Sequence, residues 1–463
     1  MAIQNLTDIV EDSNPEALVW TIKSPSLEKL DNLRFELNYD LGRLEHLLDN
    51  KIPNKVTCEY IKQTVKEIKR RARRVTISSN FEDILREDIM RNAAAAQSII
   101  DFISDFDESL NNTIYARKNK SRKIGHFKVL SYLKEFYGHK IPIQTPYATL
   151  VRLTQHLDHR AIDTYSRKVY KILALSQEIY IEGLFSKAKN EILPLTKDVI
   201  SIFGEFLGLS KEDLNVKVEL DITNRKYSYF HSGTFYASID PNEIYFYRED
   251  GEDKEFLGHF LLEAIHEGTH AVHEIISGRT FPNSRALSPM EFAYNEIHMP
   301  LTEGIARMNE RFWIPFIVEK NKRRFRVNDK DIEAMSFISK FDLARRIPQT
   351  LYTVLKVREN NESPSPNSLK ELSRIMGLPI FRRDQYFLDD ESLHESMYNI
   401  GTLLGTDYVK RTMKGLNVEF GYIKVNRNMP IILRGFLSGM WQLPTHYRFL
   451  KEEYLPRARR FFK

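Results

Sequence analysis

The sequence predicts a mainly α protein with one small β sheet. Three observations carry that expectation. Residues 1 to about 207 are dominated by apolar positions at helical spacing, the one clear β signal lies between 216 and 247, and helical spacing returns from about 280 onward. In the first part, Pro53, Pro142, Pro146 and Pro194 punctuate the helices, and AAAAQSIIDFISDF is a strong helix former. The β-branched and aromatic runs VKVELDI (216–222), KYSYF, GTFYASI (233–239) and EIYFY (243–247) follow, with Asp240-Pro241-Asn242 as a turn.

The segment FLGHFLLEAIHEGTHAVHEIIS then repeats apolar residues at Leu257, Leu261, Ala264, Ile265, Gly268, Ala271, Val272 and Ile275, which predicts a helix. Gly278 comes after the last periodic residue, as a glycine closing the helix would. Farther on, Asn360 to Ser368 (NNESPSPNS) reads as a mobile surface excursion. No internal repeat or low-complexity tract interrupts the chain. The expected division is an N-terminal helical region, 1–207, and a second region, 208–463, holding the sheet, the HEGTH helix and the C-terminal helices. Together they form one compact two-lobed unit with the HEGTH helix on the floor of a deep cleft.

With 463 residues, 42% of them hydrophobic, the chain can bury a large core. Its one cysteine, Cys58, excludes an intramolecular disulfide and a cysteine-based zinc site, and favours a reducing compartment. The N-terminus is acidic and lacks a basic-then-apolar signal. No stretch approaches the roughly 18 apolar residues of a membrane span, so a cytoplasmic location is expected. The net charge of +5 is modest. Basic clusters at Lys66–Arg74 (KEIKRRARR) and Arg117–Lys123 (RKNKSRK) lack both a nucleic-acid-binding motif and interleaved aromatics, which disfavours nucleic acid as a partner. A basic rim that attracts acidic peptides is at least as consistent.

HEGTH carries the chemistry. His266 and His270, four residues apart, fall on one helix face, where both imidazoles can reach one metal ion. Glu267 sits about 100° round the helix, beside the metal rather than on it, placed to handle the proton of a water. A catalytic zinc keeps three protein ligands. Downstream, EFAYNEIHMPLTEGIARMNERFW reads as a second helix starting near Pro300. Glu303 is the candidate third ligand, with Glu296 and His298 as alternatives. Gly304 beside it would let this helix approach the HEGTH helix closely. Arg307 and Glu310, at i+4 and i+7 from Glu303, are placed to orient the metal ligands. His259 and His273 lie about 10 Å along the axis from His266, too far to share its ion.

HEGTH followed by TEGIA resembles the gluzincin metallopeptidases, whose third zinc ligand is a glutamate on a later helix. Within them the chain is most similar to the mainly helical carboxypeptidase Taq family, over His259 to Phe312. A looser similarity is to the tubulin-tyrosine carboxypeptidase type, which shares GTH and a later EG(I/L)A but has one more residue between the Glu and the second His. The resemblance implies Zn²⁺ held by His266, His270 and Glu303, with Glu267 as general base. It also implies a strand at the sheet edge, GTFYASI or EIYFY, that pairs with extended substrate. An oxyanion donor would come from a late helix. Tyr398 with its neighbour His394 is favoured, and His446 and Tyr447 are rivals. A terminal carboxylate would need an arginine, for which Arg307, Arg434 and Arg448 are candidates. The expected activity is that of a zinc-dependent peptidase on a peptide or protein substrate, a carboxypeptidase before an oligoendopeptidase. The rival is a non-catalytic binding protein that retains the fold. Cobalt or manganese would fit the same ligands.

Overall fold

The computed structural model describes residues 18–50, 55–104, 193–221, 229–231, 234–238, 254–288, 298–313, 317–325, 365–367, 369–370, 393–416 and 428–461, with single positions between 329 and 374. The chain is mainly α. Three N-terminal helices, α1 (Pro25–Asn50), α2 (Lys55–Arg74) and α3 (Asn80–Ser104), pack on one another. Helix α4 (Leu193–Phe206) lies against α5 (Lys254–Thr280), which carries HEGTH. Helix α6 (Met299–Trp313) packs between α5 and α7 (Leu393–Gly415). Two short helices follow, α8 (Met429–Phe436) and α9 (Leu443–Arg448), and α9 runs on into a π-helical turn at Phe449–Tyr454 and a last helical turn at Leu455–Ala458.

Local chemistry sets these ends. Ser24 caps α1, its Oγ accepting from Leu27 N at 3.1 Å, and Ser79 caps α3, accepting from Glu82 N at 3.2 Å. Glu82 ties the two caps together, accepting from Ser24 Oγ at 2.6 Å, Ser26 Oγ at 2.8 Å and Ser78 N at 2.6 Å. Burial alone would raise its carboxyl, but these donors hold it down at about 2. An aromatic cluster of Trp20, Phe81, Phe281, Trp441, Phe449 and Tyr454 then joins the first described residues to α3 and the C-terminus, with ring centroids as close as 5.2 Å.

Three short strands precede α5: β1 (Lys217–Asp221), β2 (Tyr229–His231) and β3 (Thr234–Ser238). Their order is β1-β3-β2, with β3 parallel to β1 and antiparallel to β2. GTFYASI is therefore the middle strand rather than the expected edge. Thr234–Tyr236 are paired on both sides, and Ala237 and Ser238 are paired with β1, so among the described strands it is not an open edge for substrate. EIYFY, the alternative, lies outside the described residues, as does RKNKSRK.

Two glycines also differ from expectation. Gly278 lies inside α5, which continues to Thr280, and among the described residues the positive-φ glycines are Gly208 and Gly439. Gly304 faces α7 instead of the HEGTH helix. A Cβ there would stand 2.2 Å from the carbonyl carbon of Gly405, and a Cβ on Gly405 would stand 1.6 Å from Pro300 O. Helices α6 and α7 thus cross backbone on backbone, and glycine is required on both. Pro300 falls in the first turn of α6, as predicted. Of residues 360–368 only 365–367 are described, and there Ser365 O accepts from Leu369 N at 3.0 Å to open a helical turn. No helix among the described residues is long and apolar enough to cross a membrane.

Candidate metal centre

From Leu261 onward helix α5 is largely buried, with Glu267, Glu274, Ile275, Gly278 and Arg279 partly exposed. Leu261, Ala264, Ile265, Ala271, Val272 and Ile276 fill its apolar face, and His266, Thr269, His270, His273 and Ser277 are buried on the other. With Thr280, six buried polar residues on one helix demand partners, and α6 supplies several. Asn309 Nδ2 donates to Thr269 Oγ1 at 2.6 Å, and Thr269 Oγ1 in turn donates to Ile265 O at 2.7 Å. Glu303 and Glu310, two turns apart on α6, both face His266.

His266, His270 and Glu303 come together. The two Nε2 atoms are 3.3 Å apart, Glu303 Oε2 lies 3.3 Å from His266 Nε2, and Glu303 Oε1 lies 3.4 Å from His270 Nε2. One ligand atom from each falls within 4.8 Å of the others, and all three residues are buried. A tetrahedron whose ligands stand about 2.0–2.1 Å from its centre has edges of roughly 3.3–3.4 Å. The 3.3 Å between the two Nε2 atoms matches such an edge, and each Nε2 has one Glu303 oxygen at 3.3–3.4 Å, so the donor set fits a metal ion that takes nitrogen and oxygen ligands. Glu267 is partly exposed, with Oε1 4.0 Å from His266 Nε2, so it stands beside the three rather than among them.

Charge agrees with this geometry. Burial and the Arg307 charge push His266 down, yet the Glu303 and Glu310 carboxylates outweigh them and raise it to about 10. Burial would raise Glu303, but the two imidazoles hold it well below the usual carboxylate range. The buried carboxylates thus favour positive charge at this point, which a proton on His266 or a metal ion between the three residues would supply.

His266 is held from behind. Its Nδ1–H donates to Glu310 Oε1 at 2.7 Å, so that once the ring gives up its other proton the Nε2 lone pair faces Glu303 and His270. Glu310 is itself fully buried and accepts from Arg307 Nη1 at 2.9 Å and from Ser339 Oγ at 3.0 Å. The positions predicted for Arg307 and Glu310 are the ones found. Ser339 carries no signal in the sequence, because only the tertiary fold brings it to α6. His270 Nδ1 is buried and has no hydrogen-bond partner among the described residues.

The remaining candidates lie elsewhere. His298 is buried with its Nε2 3.4 Å from Arg34 Nη2, apart from the cluster, and Glu296 is outside the described residues. His394 and Tyr398 fall on α7, but their side chains are outside the described residues. His446 Nδ1 accepts from Tyr408 OH at 2.7 Å, and burial lowers the imidazole to about 3. Tyr447 is 45% exposed. His273 Nε2 lies 3.2 Å from Gly439 O, and burial lowers it, too, to about 3. Of the three arginines, Arg307 is engaged with Glu310 and Arg448 with Glu87, Asp83 and Glu452. Arg434 is buried, which lowers its pKa, and has no carboxylate partner among the described residues.

A mainly α protein with a buried two-histidine, one-glutamate cluster able to hold a metal ion is the class these observations define. No family model and no curated protein sequence matches the chain. A crystal structure of BsuCP is similar over 94% of this chain and 93% of its own, at 14% identity and a TM-score of 0.29.

Proposed function

We propose that this chain is a zinc-dependent peptidase that hydrolyses peptide bonds with an activated water, and within that class a carboxypeptidase. The observation that carries the reading is the meeting of His266, His270 and Glu303 at 3.3–3.4 Å with the Glu267 carboxylate beside them. Two imidazoles and a carboxylate, with no thiolate, are the ligand set of catalytic rather than structural zinc. Zn²⁺ held there would supply Lewis acidity towards a water and the scissile carbonyl. Glu267 takes the proton from the attacking water and passes it to the leaving amine. His266 stays fixed in one tautomer because Glu310 holds its Nδ1 proton. Tyr398, with His394 beside it, is the proposed donor to the developing oxyanion. The choice of C-terminal over internal cleavage rests on the resemblance alone.

Metal content and hydrolysis, measured together on the purified protein, test this. One zinc per chain and chelator-sensitive release of C-terminal residues are expected. Cleavage of C-terminally blocked peptides would make it an oligoendopeptidase, and metal without hydrolysis would favour the binding role. Absence of bound metal would overturn the reading. The Glu267→Gln variant should keep its zinc and lose about 10²–10⁴-fold in turnover.

A further inference from the structure

The α1 helix, the last turn of α2 and the loop after α5 enclose a groove of about 690 Å³. Its walls are rich in hydrogen-bond donors. Arg71 is neutralised by Glu36, its two terminal nitrogens donating at 2.7 and 3.2 Å to the two carboxylate oxygens. Lys29, Arg74 and Arg285 also line the groove, and none has a carboxylate partner among the described residues. Glu36 is the one acid in the lining, so three cations face the groove uncompensated.

All three are exposed, and one of them is held in place by its surroundings. Arg285 is built in: its backbone N donates to the buried Asp31 at 3.2 Å, and Ala286 N donates to the same carboxylate at 3.3 Å. Its guanidinium lies 5.4 Å from the Phe35 ring centroid and donates to Asn32 Oδ1 at 3.3 Å. The Thr76 hydroxyl adds a further donor to the lining.

The bland account is that basic residues at the end of α2 offset the helix dipole. It covers Arg71 and Arg74. It does not cover Lys29, which lies near the N-terminus of α1 where the dipole disfavours a cation, nor Arg285, which belongs to no helix.

We propose that this groove binds a multiply phosphorylated small molecule, recognised through its phosphates. Arginine forks match phosphate oxygens two at a time, and lysine adds a point charge. A terminal phosphate brings up to two negative charges and an internal one brings one, so a chain of two or three carries enough charge to balance the three cations within one compact ligand. The volume lies in the range of small-molecule sites, about 300–1,000 Å³. The proposal is independent of the peptidase reading.

Calorimetric titration of the full chain with tripolyphosphate tests it. Wild type should bind at 1:1, Arg285→Ala should bind about tenfold more weakly, and Arg74→Ala/Arg285→Ala about 100-fold more weakly. Thermal unfolding of these variants should stay close to wild type. Arg285→Lys should recover only part of the affinity, because the bidentate fork is lost. Glu303→Ala, which weakens the metal cluster, should leave tripolyphosphate binding unchanged. The proposal is overturned by absence of binding, or by affinity indifferent to Arg74 and Arg285. Affinity lost only in Glu303→Ala would place the anion at the metal cluster instead. Tighter binding of a poly-glutamate peptide or a single-stranded oligonucleotide than of tripolyphosphate would assign the groove to a polymer and overturn it equally.

Discussion

Two buried polar centres each form where two helices cross. Arg34 and Asp88, both fully buried, meet at 2.6 Å where α1 crosses α3, and His266, His270 and Glu303 meet at 3.3–3.4 Å where α5 crosses α6. In the first centre the groups saturate one another. Arg34 Nε donates to Asp88, and its two terminal nitrogens donate to Ala286 O and Met440 O. Asp88 Oδ1 accepts from Gln442 N at 3.1 Å and from Thr445 Oγ1, and its Oδ2 accepts also from Asn92 Nδ2 at 3.3 Å. In the second centre the lone pairs of two imidazoles and a carboxylate converge on one point, and only His266 is held from behind. A closed network of charges ties chain segments together, whereas a convergent set of bases holds an ion. The first centre should therefore respond to mutation in stability and the second in metal.

The largest effect expected is that of Asp88→Ala, which strands the Arg34 charge. It should cost about 3–5 kcal/mol in urea unfolding while the folded fraction keeps its metal. A loss below about 1 kcal/mol would break the comparison at its structural end. Glu303→Ala should do the reverse. Zinc in hundredfold excess over its dissociation constant should stabilise wild type by about 2.7 kcal/mol, and this increment should vanish in the variant. If chelator-treated Glu303→Ala is as destabilised as Asp88→Ala, the two centres are not different in kind.

Glu310→Gln sharpens the contrast within the second centre. Losing the carboxylate behind His266 should weaken zinc about 10–100-fold, read by competition with a chromophoric chelator. Unchanged affinity would reduce Glu310 to a packing residue.

The smallest effect expected is pH-dependent. His446, lowered to about 3 by burial, is neutral in the folded chain, whereas an unfolded histidine titrates near 6.5. The unfolded state therefore takes up the proton first. The stability it contributes is complete above about 6.5 and is lost as pH falls towards 3. From pH 6 to 5 this should amount to about 1 kcal/mol, and His446→Gln, which keeps an acceptor for Tyr408, should flatten that slope. Glu82, held at about 2, adds a loss in the same direction only below its ordinary range near 4.5.

Much of the second centre is legible in sequence because helices translate spacing into direction. The i, i+4 interval of His266 and His270 sets one face of α5, and the i+7 interval from Glu303 to Glu310 puts both carboxylates on one face of α6. The first centre is not legible. Arg34 and Asp88 lie on separate helices, and their partners come from the loop near 286 and from residues 440–445, so no local spacing announces them. Gly304 was readable as a close approach but not as to what. Its contact with Gly405 depends on how α6 and α7 cross.

By itself, then, the sequence determined the mainly α class, the place of the small sheet before α5, and the helix faces bearing His266, His270, Glu303 and Glu310. Periodicity is a local property of the chain, and these are local facts. Tertiary structure alone decided that Glu303 rather than His298 joins the two histidines, that Ser339 steadies Glu310, that β3 lies inside its sheet, and that Lys29, Arg74 and Arg285 share one groove. Each of these joins residues far apart along the chain, and only the packing of whole elements brings such residues within reach.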